Sequence, residues 1–215
     1  MRTRIKICGM TNLNDALSAL EAGADALGFV FYKKSPRYIE PDIASEIIRN
    51  LPPLVTVVGV FVDEQIDRVR ETARFCRLDL LQFHGFESPE YCEWYHNRVI
   101  KAFRVKDASS LEEVRKYKDQ VSGYLLDSYS EDAYGGTGST FDWSVAREII
   151  RLRPVLLAGG LTPDNVARAI SEVRPYGVDV SSGVEIAPGR KDMEKMRSFV
   201  DSVRKADADI EEPCS

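Results

Sequence analysis

Eight short, apolar, β-rich runs alternate along this chain with segments of helical periodicity, and that rhythm restricts the possible folds more than any other feature. The runs are RIKIC (4–8), DALGFVF (25–31), VTVVGVF (55–61), DLLQF (79–83), RVIKAFRV (98–105), GYLLD (123–127), PVLLAG (154–159) and GVDVSS (177–182). Between and after them, helical periodicity covers 12–22, 41–50, 64–75, 89–96, 110–119, 142–151, 163–173 and 192–205. Pro41, Pro89 and Pro163 fall near helix starts, where a missing N–H costs nothing. Successive parallel strands need a crossover between them, and a helix supplies it. Spread over 215 residues, each strand–helix unit has about 27 residues, enough for a barrel with short loops. A doubly wound open sheet uses the same units, but eight repeats of one unit favour closure. The reading is therefore α/β, a single (β/α)8 TIM barrel of parallel strands over 1–205. The acidic stretch ADADIEEPCS (206–215) lacks an apolar period and reads as a frayed tail.

Charge and cysteine usage narrow the function classes. Lys and Arg number 29 against 34 Asp and Glu, a net charge of −5, so no bulk attraction draws the chain to nucleic acid or an anionic membrane. Any anionic ligand must be held locally. The start MRTRIKICGM has no secretory apolar region, no apolar run reaches the ~18 residues of a membrane span, and the cysteines form no CxxC pair. A cytoplasmic, reducing setting with free thiols at Cys8, Cys76, Cys92 and Cys214 follows. With only His84 and His96 as histidines, a zinc cluster or metal-dependent epimerase site is hard to assemble.

In such a barrel the chemistry sits where the strands end. Lys6 and Cys8 share one face of the first strand, with Ile5 and Ile7 on the other. A free cysteine is commonly a small buried hydrophobe, but one beside a cation at a strand end can also serve as a thiolate. Asp127 closes the sixth strand. It either caps the loop that follows or projects into the mouth as the second member of an acid–base pair with Cys8. Gly159 and Gly160 after the seventh strand, with Ser182 and Gly183 after the eighth, suit a phosphate held by backbone N–H groups. Gly136 and Gly138 belong to a glycine-rich loop that is either mobile surface or a lid. Arg37 ends a basic loop after the second strand that is either ordinary charged surface or, at this face, a bidentate grip on a carboxylate. His84, ending the fourth strand, is a satisfied structural histidine or a ligand contact. Asp179 has the inward parity to pair with Lys6 after closure.

The motifs KICGMTN (6–12), GFVFYKKSPRYI (28–39), LLQFHG (80–85), Asp127 with GGTG and FDW (127–143), LAGGLTPDNV (157–166) and GVDVSSGVE (177–185) together resemble the phosphoribosylanthranilate isomerase family of tryptophan biosynthesis. The resemblance implies an Amadori rearrangement without metal or organic cofactor: N-(5-phosphoribosyl)anthranilate becomes 1-(2-carboxyphenylamino)-1-deoxyribulose 5-phosphate. It further implies Cys8 as general base at the sugar C2 and Asp127 as general acid at the ring oxygen. Arg37 would take the anthranilate carboxylate, the Gly159–Gly160 and Ser182–Gly183 loops the phosphate, and the Gly136–Gly138 loop would close over the substrate. The partner is then a small phosphorylated molecule, and the protein a monomer or homodimer. The histidine-pathway isomerase, expected to carry aspartate where Cys8 stands, and indole-glycerol-phosphate synthase, with its different lysine and glutamate set, fit less well. A non-catalytic phosphate-ligand binder is the reading from another class, and retention of both Cys8 and Asp127 weighs against it.

Overall fold

A computed structural model describes residues 2–95, 99–105, 110–128 and 143–211. Eight parallel strands form a closed barrel in chain order: β1 Arg4–Cys8, β2 Ala26–Val30, β3 Thr56–Phe61, β4 Leu80–Phe83, β5 Val99–Val105, β6 Gly123–Ser128, β7 Val155–Ala158 and β8 Gly177–Val180. Closure rests on β1 pairing with β8, Lys6 opposite Asp179 and Ile7 opposite Val180. That pairing excludes the open doubly wound sheet. The helices are α1 Leu13–Ala22, α2 Pro41–Arg49, α3 Ile66–Cys76, α4 Pro89–Glu93, α5 Ser110–Arg115, α6 Trp143–Ile149, α7 Val166–Val173 and α8 Met193–Glu211.

Local chemistry explains the helix ends. Asn12 caps α1 by accepting from the Asp15 N–H, and Gly23, in the left-handed region, closes its C-terminus onto the Ala19 and Leu20 carbonyls. Pro41 and Pro89 stand in the first turns of α2 and α4, as their fixed φ favours. Pro163 does not do the same. There the Asn165 carboxamide accepts from the Thr162 N–H, a turn holds 162–165, and α7 starts only at Val166.

Strand parity sorts the core into two layers. Ile5, Ile7, Leu27, Phe29, Phe61, Phe83 and Tyr124 pack outward against the helices. Ile100, Ala102, Leu125 and Ala158 fill the barrel interior, and Cys8, Val30 and Val60 form a separate cluster near its mouth.

The structure corrects the expectation for the chain's end. A frayed tail from 206 is replaced by helix to Glu211: Ala206 is buried, and the Asp207 carboxylate accepts from the Thr3 N–H at 2.8 Å and its hydroxyl at 2.6 Å. That tie to the chain start supplies the partner a composition argument cannot see. Cys214 lies outside the described residues. A feature absent from the sequence reading follows β8, where a 3-10 turn at Ser182–Val184 leads into an antiparallel hairpin, β9 Glu185–Ala187 and β10 Arg190–Lys191. Its strands are too short to leave a period in the sequence. Among the described residues no helix is long and apolar enough to cross a membrane.

Candidate active site

At the strand C-terminal end, Cys8, Arg37, His84, Asp127, Gly159, Gly160 and Ser182 line one cavity of about 340 Å³. A cavity of about 460 Å³ opens at the other end, where Arg4 and Asp25 face each other at 3.4 Å beside apolar Ile5, Leu80 and Leu156. The acid–base pair belongs to the first. Gly136 and Gly138 lie outside the described residues.

The Cys8 side of the cavity is buried and braced. Inward parity puts Lys6 beside the thiol, and the Lys6 ammonium meets the Asp179 carboxylate at 2.8 Å with its own side chain only 1% exposed. Burial alone disfavours the Lys6 charge, but Asp179 and Cys8 outweigh it and hold the ammonium above its ordinary pKa. For Cys8 the balance goes the other way. Burial pushes the thiol up, Lys6 pulls it down and Asp179 pushes it up again; burial prevails and holds the thiol above its ordinary pKa. Lys6 therefore favours the thiolate against that burial.

The Asp127 side is more open. The imidazole Nε2 of His84 lies 3.3 Å from the Asp127 carboxylate, with the two side chains 25% and 30% exposed. On its other side, His84 Nδ1 is 3.0 Å from the Gln82 amide nitrogen. If that amide donates to Nδ1, the hydrogen sits on Nε2, the nitrogen nearer Asp127. His84 thus stands beside the carboxylate, a pairing that parity alone does not reveal.

Two glycine loops complete the wall. Gly159 and Gly160 have φ of 84° and 63°, in the region that favours glycine. Gly183 answers a different need: a Cβ there would lie 1.9 Å from the Leu161 carbonyl oxygen, so only glycine lets the loops after β7 and β8 meet. Arg37 lines the same cavity, and its guanidinium is already engaged. Nε and Nη2 donate to the Glu185 carboxylate at 2.9 and 2.6 Å. Among the described residues, no group of three or more His, Cys, Asp or Glu side chains could hold a metal ion.

The model of the N-(5'-phosphoribosyl)anthranilate (PRA) isomerase family matches residues 5–202. The chain belongs to the PRA isomerase family. The N-(5'-phosphoribosyl)anthranilate isomerase of Geotalea uraniireducens is 60% identical over 198 residues, covering 92% of this chain and 97% of that protein. Among solved structures, the phosphoribosyl anthranilate isomerase of Thermotoga maritima superposes with a TM-score of 0.88 at 46% identity, covering 94% of this chain and 99% of that one. Another family structure holds reduced 1-(o-carboxyphenylamino)-1-deoxyribulose 5-phosphate; it matches with a TM-score of 0.85 at 43% identity over 94% of this chain and 99% of its own.

The fold class and the family read from the motifs are thereby upheld. Sequence reasoning missed Gln82, Glu185 and Lys191 as parts of this PRA isomerase site. Glu185 stood inside a quoted motif without a role, and Lys191 outside all of them. The available signal was an acid and a base between the last strand and the last helix, on the face where loops carry function.

Proposed function

We infer that the chain converts N-(5-phosphoribosyl)anthranilate to 1-(2-carboxyphenylamino)-1-deoxyribulose 5-phosphate, a step of tryptophan biosynthesis. The observation that carries this reading is a thiol on β1 and a carboxylate on β6 lining one cavity with the glycine loops after β7 and β8. Asp127 donates a proton to the furanose ring oxygen. The C1–O bond breaks, and the nitrogen lone pair forms the protonated Schiff base. The cationic imine acidifies the C2 hydrogen, and Cys8, acting as thiolate, removes that proton while the C–H electrons form the C1–C2 double bond. Protonation of C1 and loss of the C2 hydroxyl proton then give the aminoketose. Lys6 offsets part of the desolvation of the developing thiolate.

The substrate has an anionic group at each end. Ser182, Gly183 and the Gly159–Gly160 loop offer backbone N–H groups to the phosphate. The Arg37 donors not used by Glu185 are available to the anthranilate carboxylate. His84 stands 3.3 Å from Asp127 and borders the bound sugar. On this reading the protein works in the cytoplasm as a monomer or homodimer, and proton transfers alone complete the rearrangement.

The test follows loss of the aminoaldose fluorescence with purified protein, alongside complementation of a tryptophan auxotroph lacking this step. Turnover and rescue by the wild-type chain, with neither from Cys8→Ala, are expected. Rescue by Cys8→Ala equal to wild type would overturn the assignment of the base.

A further inference from the structure

Glu185 is a buried carboxylate bound to Arg37, which lines the cavity, an arrangement that costs affinity for an anion unless it serves another purpose. Its side chain is only 4% exposed, yet both oxygens are engaged. Oε2 accepts from Arg37 Nη2 at 2.6 Å, while Oε1 accepts from Arg37 Nε at 2.9 Å, Lys191 Nζ at 2.8 Å and the Gly189 N–H at 3.3 Å. Lys191 is fully buried, and its three N–H donors have three acceptors: Glu185, the Cys8 carbonyl at 2.5 Å and the Ser181 carbonyl at 3.3 Å. Three acceptors suit an ammonium.

Resting on the assignment of Arg37 to the substrate carboxylate, we propose that Glu185 and Lys191 are positioning residues for that clamp. Glu185 grips one edge of the guanidinium and leaves the other for the ligand. Of five N–H donors, two are used and about three remain, on the Nη1 side and the free Nη2 hydrogen. Lys191 balances the Glu185 charge, so the trio of one carboxylate and two cations keeps a net positive charge toward an anion. Through the Cys8 carbonyl, it also ties the clamp to the end of the strand that carries the base.

The frame behind the trio is stiff. The Lys191 N–H donates to Asp15 on α1, Lys195 on α8 donates to the Glu185 carbonyl, and Thr11 donates to the Gly189 carbonyl. On the other side, Gly9 makes room for Arg37: it has a φ of 85°, and a Cβ there would lie 2.6 Å from Arg37 Cδ. Arginine thus meets the cavity from a fixed direction, the condition under which bidentate recognition is strong.

The test compares the anthranilate substrate with the same aminoaldose built on aniline, which lacks the carboxylate. Glu185→Gln is expected to raise KM for the anthranilate substrate about tenfold, the scale of one charge-assisted contact, with kcat within about threefold. KM for the aniline compound should change less than about twofold. In an Arg37→Ala background the Glu185→Gln change should add nothing further to KM, because the group it positions is gone. Glu185→Asp, which keeps the charge but withdraws it by one methylene, should raise the anthranilate KM about threefold and serves if Glu185→Gln does not fold. Equal KM changes on both compounds, or an effect that persists without Arg37, would overturn the positioning role. An unchanged KM in Arg37→Ala itself would instead refute the clamp on which the role rests.

Discussion

The two sides of the cavity are built on opposite plans. On the β1 and β8 side, Cys8 sits in a nearly dry wall held by two buried ion pairs, Lys6 with Asp179 and Lys191 with Glu185, both at 2.8 Å. On the β4 and β6 side, Asp127 and His84 face each other at 3.3 Å with a quarter or more of each side chain in contact with solvent. Water screens the charges on the open side, whereas burial magnifies every neighbouring charge. A thiol acting as base gains from a fixed ammonium that only a buried pair can hold still. An acid that must regain its proton each cycle gains from access to water.

Removing the reacting groups is the strongest challenge to this contrast. Cys8→Ala and Asp127→Asn should each lower kcat by at least about a hundredfold, the lower end for acid–base catalysis, in assays of purified variants. A loss confined to one of them would mean that only one wall is catalytic.

Next come the supports of each wall. Lys6→Met leaves Asp179 buried without its partner and should cost about 3–5 kcal/mol of stability in denaturant unfolding. His84→Gln should leave stability within about 0.5 kcal/mol, since its site is partly solvated. It should still lower kcat about tenfold, because the carboxylate loses the imidazole that stands beside it. Equal stability losses in the two variants would erase the distinction between a braced wall and an open one.

The pH profile separates the two groups. A base that must lose its proton and an acid that must keep one have opposing dependences, and these cancel between their two pKa values. In Asp127→Asn the acid no longer titrates. Residual kcat/KM should then rise about tenfold per pH unit toward the thiol pKa, which burial has pushed up. A flat profile in that variant would remove Cys8 as the base.

The smallest effect concerns stability in acid. Burial pushes the Glu185 carboxyl up, but hydrogen bonds and charge from Arg37 and Lys191 overcome this and hold its pKa below the ordinary carboxylate value. A lowered folded pKa stabilises the protein above the unfolded value of about 4.3, and that contribution fades as pH falls through the folded value. Wild type should therefore exceed Glu185→Gln in stability at neutral pH, and the gap should narrow below about pH 4. A gap independent of pH would show that the carboxylate charge is not what matters there.

Much of the fold was legible along the chain. All eight strands lie within or close to the apolar runs, because burial on both faces of a parallel strand selects continuous β-branched and aliphatic residues. Parity also put Lys6, Cys8 and Asp127 inside the barrel. Helix ends were less legible: α4 stops at Glu93 and α7 starts three residues beyond Pro163, after a turn in which the Asn165 side chain accepts from the Thr162 N–H.

What the sequence determined by itself is therefore the repeating unit, the inward and outward faces, and the chemical groups at the strand ends. These depend on periods of two and 3.6 residues, which any short window contains. Tertiary structure alone decided their partners. Arg37 meets Glu185 across 148 positions of chain and Lys191 meets the Cys8 carbonyl across 183, and both contacts exist only because the barrel closes. The state of Cys8 belongs to the same category, since burial, Lys6 and Asp179 compete at one sulfur only after closure has brought β8 beside β1.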